Sequence, residues 1–202
     1  HILGVRDARV AFDSPQLVDT VTEPALVGRG KGFDVLAVRW PAFADVYGEG
    51  LLLVPTGTKK VADVVAIPDA DQTPEMIVGL VDGVAPESQF ARRLAESGCR
   101  VLIPTLVDRT IEPVGQIVAK LQGTPQPRAG AQLTHREFLY RSAFLLGRHL
   151  IGYEVQKILA GVDWFAEDAG DADARIGVIG WGEGGLLALY AGALDTRIDA
   201  TC

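Results

Sequence analysis

Apolar and polar positions alternate loosely over Phe33-Asp34-Val35-Leu36-Ala37-Val38-Arg39-Trp40, which predicts a strand. Leu51-Leu52-Leu53-Val54-Pro55 predicts a second, ended by its proline, and Gly48 and Gly50 predict a hairpin or tight connection between the two. Val61 to Ile67 is apolar apart from Asp63 and reads as a central strand feeding the polar loop Pro68-Asp69-Ala70-Asp71. From Ser88 to Ser97 the period changes: Phe90, Ala91 and Leu94 share one helical face, with Arg92, Arg93 and Glu96 mostly opposite. Gly98 stops that helix, and Cys99-Arg100-Val101-Leu102-Ile103-Pro104 follows as a strand.

Residues 105–133 show no such period, and Gly123-Thr124-Pro125-Gln126-Pro127 is their loosest part. Thr134-His135-Arg136-Glu137 then has a hydroxyl at the cap and a carboxylate three residues later, a capping box. One helix is predicted from there to about Phe165 or Ala166, with Phe138, Leu145, Leu146, Ile151, Val155 and Ile158 among its apolar positions. Gly147, Gly152 and Gly161 each weaken it by about 1 kcal/mol and permit close packing or a kink. A strand over 176–179, a glycine-dense turn, a helix over 183–194 and a strand from Arg197 to Cys202 complete the pattern.

The order is a β-rich start followed by β-α-β-α-β-α-β. It predicts an α/β domain over 35–202 with a predominantly parallel sheet and helices on both faces. Residues 1–34 are turn-rich and poorly periodic, and read as a lead-in segment or the end of another domain. Ligands of such sheets bind beyond the carboxyl ends of the strands, here residues 68–73, 104–109 and 180–185.

Composition narrows the partners. The chain has 202 residues, 48% of them hydrophobic, and a net charge of -7. A packed core is expected, and the acidic balance disfavours nucleic acid or an anionic membrane as main partner. No uninterrupted apolar run approaches the roughly 20 residues of a membrane span. Cys99 and Cys202 read as isolated buried thiols, with no metal-ligand spacing around them. A chain starting at His1 without Met and stopping at Cys202 reads as a piece of a longer polypeptide. A processed leader, which would place it in a secreted or periplasmic setting, and an expression boundary are both compatible with the first end.

The turn Gly180-Trp181-Gly182-Glu183-Gly184-Gly185 carries the chemistry. Gly180, Gly182 and Gly185 fit G-x-G-x-x-G, the turn of a dinucleotide-dependent oxidoreductase. Against that, at least two parallel strands precede it, and the acidic residue expected some 20 positions on falls near Cys202. The same residues fit the nucleophile elbow G-x-S-x-G except at the centre, where Gly182 replaces the serine. A third reading gives the glycines only a packing role between strand and helix.

The segments I-G-V-I-G-W-G-E-G-G-L-L-A-L-Y-A at 176–191 and A-L-D-T-R-I-D-A at 193–200 resemble the α/β-hydrolase superfamily, nearest the dienelactone hydrolase and acetyl xylan esterase type. A-R-R-L-A-E-S-G-C-R-V-L-I-P at 91–104 resembles that family's first helix and following strand, and V-V-A-I-P-D-A-D at 64–71 its strand and oxyanion loop. The resemblance covers roughly 50–202 and implies an N-terminal part of an α/β-hydrolase domain acting on carboxylic or carbohydrate esters without a cofactor. It puts Gly182 at the nucleophile position and makes the backbone N–H of Glu183 one oxyanion donor. The second donor would come from the loop, at Ala70 or Asp71. Where the family shows His-Gly in that loop, Pro68-Asp69 or Asp69-Ala70 stands here. The family's acid and histidine would lie beyond residue 202, and the unfinished sheet would pack against that missing part or another chain. The departures at the elbow and loop leave open a catalytically inactive binding or scaffold domain.

Other groups carry less. The Glu183 side chain is a candidate base for a water, but a solvated or salt-bridged role is the simpler one. Asp69, Asp71 and Asp108 sit near strand ends, where local turn hydrogen bonds are the expected job. His135 falls in the helix cap region and His149 in the helix body, both as structural residues. Trp181 suits a pocket wall or a core equally, and Arg136, Arg141 and Arg148 read as a solvated helix face.

Overall fold

The computed structural model describes residues 2–57, 59–110, 133–170 and 174–202. The loose stretch at 123–127 lies outside them. Among the described residues, eight strands form one sheet: β1 (Gln16–Leu17), β2 (Leu26–Gly30), β3 (Phe33–Phe43), β4 (Val46–Pro55), β5 (Asp63–Ile67), β6 (Arg100–Pro104), β7 (Ile176–Gly180) and β8 (Ala200–Thr201). Their order across the sheet is β1-β3-β4-β6-β5-β7-β8, with β2 also on β3. The α-helices among the described residues are α1 (Pro74–Val78), α2 (Phe90–Glu96), α3 (His135–Leu145), α4 (Leu150–Ala169) and α5 (Glu183–Leu194).

The sheet is mixed, which corrects the expectation of a predominantly parallel one. β6, β5, β7 and β8 run parallel, while β1, β2, β3 and β4 pair antiparallel and β4 meets β6 antiparallel. The reason lies in the connections. β3 and β4 are joined by a tight turn at Ala44–Asp45, which can only reverse the chain, whereas the later strands are joined through helices. Gly48 and Gly50 sit inside β4 and not in that turn. A Cβ at 48 would lie 2.3 Å from the Trp40 ring, and one at 50 would lie 1.9 Å from the Ile103 carbonyl. Within residues 1–34, β1 and β2 pair with β3, so that segment contributes to the same sheet.

Helices cover both faces, and strand alternation decides which residue meets which. Val65, Ile67, Leu52 and Leu102 point to the side packed by α4 and α5, together with Trp40, Ile158, Phe165 and Leu187. Val64, Ala66, Leu51, Leu53, Val101 and Ile103 point to the other side, with Ile77 of α1 and Ala91 and Ala95 of α2. The helix expected over 88–97 forms as Phe90–Glu96 with Arg92, Arg93 and Glu96 exposed. The short α1, capped by Thr73, is not predicted from the sequence because five residues give too little periodicity.

The long helix is two. Thr134 Oγ1 accepts the Glu137 N–H at 3.1 Å, as the capping box predicts, but α3 ends near Gly147, whose φ is +69°. α4 starts anew with His149 as its cap, Nδ1 accepting from the Ile151 N–H at 3.1 Å. His149 is thus a cap and not a helix-body residue. α4 is buried almost all round because the N-terminal segment closes its outer side: Trp164 Nε1 donates to the Asp13 carbonyl, and Phe12 stacks on Trp164. At Gly152 the Leu3 carbonyl would lie 2.0 Å from any Cβ.

Charges tie these layers together. Asp63, 2% exposed, accepts from Arg100 Nε at 2.6 Å and Lys60 Nζ at 2.7 Å. Arg100 also lies over the Trp164 ring, 4.4 Å from its centroid. Asp163 of α4 holds Arg9 from the N-terminal segment and Arg197 from beyond α5. Burial alone would raise the Asp163 carboxyl, but the hydrogen bonds from Arg9 and Arg197 outweigh it and hold it below its ordinary value of 3.8. A depressed carboxyl adds stability that is fully present above its unfolded pKa, about 3.9, and is lost as pH falls through the lower folded value. Asp163→Asn should therefore lower the urea midpoint at neutral pH, and its gap from the wild type should narrow progressively as pH falls below the unfolded carboxyl value. A gap of equal size at neutral and acid pH would show that the ionised carboxylate of Asp163 is not the source of the stability.

Candidate functional site

Strand β7 ends where α5 begins, and there is almost no backbone between them. A Cβ on Gly180 would lie 2.2 Å from the Gly184 carbonyl carbon. One on Gly184 would lie 2.3 Å from the Ile67 carbonyl oxygen and 2.4 Å from that of Pro68. Only hydrogen fits at either place. Gly182, between them, has φ +57° and ψ −120°, a conformation that residues with a Cβ reach only under strain. The apolar run therefore stops in a sharp turn because its glycines let three backbone segments touch.

This turn brings together most of the residues singled out in the sequence. The Glu183 N–H, first of α5, donates to Asp69 Oδ1 at 3.0 Å. The Ala70 N–H donates to the same oxygen at 2.7 Å. Of the two loop candidates it is thus Ala70, almost fully buried, whose amide faces this point; Asp71 is exposed. The loop is held in shape by the Gln72 N–H donating to the Asp69 carbonyl at 3.0 Å. Gln72 Oε1 in turn accepts from the Asp69 N–H.

Asp69 does more than the local turn bonding expected of it. Its carboxylate caps α5 from a different element, since the cap residue Gly182 has no side chain to do so. It also fills the space over Gly182: a Cβ there would lie 2.2 Å from Asp69 Oδ2. Asp108 accepts from the Thr110 N–H and hydroxyl, the local bonding expected of it, and its carbonyl accepts from the Arg136 N–H at 3.2 Å.

The Glu183 side chain turns away from the amides into an ion cluster. Arg109 donates to its Oε2 at 2.9 Å, and Arg136 pairs with its Oε1. Arg109 also reaches within 3.9 Å of Asp69 Oδ1. The Glu183 carboxylate is thus engaged by two guanidinium groups. Arg136 is 13% exposed and lies in this cluster, which corrects its reading as part of a solvated face. Arg141 and Arg148 pair with Glu137 and Asp7 instead. Burial pushes the Arg136 guanidinium below its usual value and Arg109 adds to this, while Glu154 and Asp69 oppose it.

Arg109 and Arg136 were not legible as site residues, because nothing in their spacing links them to residue 183. Their placement depends on the loop after β6. There the Val107 N–H donates to buried Glu154 Oε1 at 3.1 Å and the Val107 carbonyl accepts from Arg136 at 3.1 Å. Beside the cluster opens a cavity of about 330 Å³ lined by Arg109, Thr134, Arg136, Tyr140, His149 and Glu183. His135 Nδ1 lies 3.6 Å from Asp108 Oδ1, outside that lining. On the other side of the turn, Trp181, 67% exposed, borders a larger cavity of about 580 Å³ with Gln72, Phe90 and Cys202. Trp181 is accordingly a wall residue and not part of the core. Cys99 is buried, and burial raises its thiol pKa, with Asp63 adding to this; Cys202 is exposed and not the buried thiol expected.

No family model matches the chain, and no curated protein matches it either. Solved structures do. A candidate acetyl xylan esterase from Bacteroides fragilis NCTC 9343 is similar over 98% of this chain and 48% of its own, with 17% identity and a TM-score of 0.63. Acetyl xylan esterase from Paenibacillus sp. R4 is similar over 93% of this chain and 51% of its own, at 16% identity and a TM-score of 0.54. Acetyl xylan esterase 1 from Thermoanaerobacterium sp. JW/SL YS485 covers the same shares at 16% identity, with a TM-score of 0.52. The chain spans about half the length of each of these proteins. No helix among the described residues is long and apolar enough to cross a membrane. With its mixed sheet and covering helices, the chain has an α/β fold similar to the corresponding half of these esterases.

Proposed function

We propose that this chain is the N-terminal part of an esterase-type α/β-hydrolase whose amide pair suits an ester carbonyl oxygen, is held by its own Asp69 carboxylate, and forms no acyl-enzyme. One observation carries the reading: two amides from separate elements, Ala70 and Glu183, converge on a single oxygen directly over Gly182. Such a pair suits the oxygen of a carbonyl or a developing oxyanion. Gly182 stands where the nucleophile would be and offers no reacting atom. Glu183, engaged by Arg109 and Arg136, is poorly placed to activate water in its stead. Small carboxylic esters, including those of carbohydrates, are the ligand class this argument favours. The dinucleotide reading loses support, since the Asp69 carboxylate at the start of α5 would repel a pyrophosphate there, whereas an ester carbonyl carries no net charge.

The test is p-nitrophenyl acetate turnover by the full-length protein. The wild type should run at the buffer rate. Gly182→Ser alone should gain little, because Asp69 Oδ2 occupies the space its side chain needs. Gly182→Ser combined with Asp69→Gly should exceed the wild type at least ~10-fold, within the span a nucleophile and its donors supply. Saturable wild-type turnover, with residue 182 intact as glycine, would overturn the reading.

A stability cycle checks the geometry separately. Gly182→Ala should cost about 1–3 kcal/mol from backbone strain, plus the displacement of Asp69. The same substitution in an Asp69→Gly background should cost less by at least ~0.5 kcal/mol, measured by urea unfolding. Strict additivity would mean that the two side-chain spaces do not overlap.

A further inference from the structure

Trp40 and Trp164 are 0% and 4% exposed and belong to the core, whereas Trp181 is 67% exposed. A single exposed ring carries no message by itself, but this one stands at a cavity of about 580 Å³. Val84, Ala85, Phe90 and Ile179 give that cavity apolar walls, and Gln72, Glu87 and Ser88 add polar side chains. Small-molecule sites share this make-up, apolar and aromatic with a few polar groups, in volumes of about 300 to 1,000 Å³. The cavity across the turn is of another kind, since Arg109, Arg136 and Glu183 line it with charge. Gln72 joins the larger cavity to the Asp69 loop. Its Oε1 accepts from the Asp69 N–H, and its NH2 group has no protein acceptor among the described residues. Gly180 and Trp181 belong both to the cavity wall and to the turn, so the two are continuous.

We infer that this cavity binds an uncharged aryl group against the Trp181 ring, and that the esters suited to this chain are aryl-bearing ones. Chemistry separates this ligand from its competitors. Trp181 and Phe90 supply aromatic surface, which a second ring matches better than a saturated group of equal size. A sugar also stacks on indole, but it carries a hydroxyl on nearly every carbon. Walls of Val84, Ala85, Phe90 and Ile179 would leave several of those hydroxyls unpaired. An aryl carboxylate would be repelled by the Glu87 carboxylate. Size agrees as well. A dry cavity of about 150 Å³ already takes benzene, so one of about 580 Å³ holds a ring with its substituents. The inference deepens the esterase-type reading and rests on it for the ester group. A ring seated beside Gly180 has its substituent next to the turn, with the Gln72 NH2 as a donor nearby.

The experiment measures binding and no turnover, so it can fail while the esterase-type reading stands, and the reverse. Benzyl alcohol, cyclohexylmethanol, benzoate and xylose are titrated into the full-length protein by ligand-observed NMR. Benzyl alcohol should bind with a Kd on the order of 1 mM, the range open to about eight non-hydrogen atoms. The other three should bind at least ~3-fold more weakly. Trp181→Phe, which keeps a ring, should hold the benzyl alcohol Kd within about 3-fold, and Trp181→Ala should raise it at least ~5-fold. With Trp181 67% exposed, its truncation leaves the core intact. Tryptophan emission gives a second readout: benzyl alcohol should change it in the wild type and not in Trp181→Phe. No saturable binding of benzyl alcohol overturns the proposal. Equal affinity for the saturated alcohol, tighter binding of xylose or benzoate, or an unchanged Kd in Trp181→Ala overturns it too.

Discussion

Backbone contact between the end of β7, the start of α5 and the end of β5 is the constraint on which the site depends. Gly180, Gly184 and the carbonyls of Ile67 and Pro68 approach so closely that no side chain fits among them. That contact fixes the direction of the first turn of α5 and the distance from it to the Asp69 loop. It decides, before any side-chain chemistry enters, that the Ala70 and Glu183 amides aim at one point. The two hydrophobic layers serve this geometry from below: Val65 and Ile67 anchor β5 on one face while Val64 and Ala66 anchor it on the other. A strand held on both faces cannot slip by one residue without exchanging its buried sets.

Much of the scaffold was legible in the sequence. The apolar runs at Val64–Ile67 and Val101–Ile103 and the amphipathic pattern at Phe90–Glu96 reappear as β5, β6 and α2. The capping box at Thr134 marks the start of α3 to the residue. The expectations that failed share a physical cause. Sheet direction is set by connection geometry, and a tight turn at Ala44–Asp45 without the usual glycine gives no warning of itself. Glycines at 48 and 50 signal a turn to a local reading, yet here they answer to Trp40 and Ile103, which are distant neighbours. His149 looked like one more helical position because the break before it contains a single glycine.

The site divides along the same line. The turn at 180–185 was visible because close backbone contact demands glycine and leaves a dense local signature. The role of Asp69 was visible only as a polar loop residue, since its partner Glu183 lies 114 positions away in sequence. Arg136 is the clearest case. Its neighbours on the helix, Glu137 and Arg141, form an exposed pair, while Arg136 turns inward to Glu183 and the Val107 carbonyl. Sequence periodicity assigns a residue to a helix face, but it does not say which loop will be folded over that face.

The overlap of the Asp69 carboxylate with the space above Gly182 also gives direction to how such a chain can change over generations. A serine arriving at 182 meets an occupied space and pays for it in folding, whereas a short residue arriving first at 69 merely uncaps α5. The path toward a side-chain nucleophile is therefore ordered, with position 69 first.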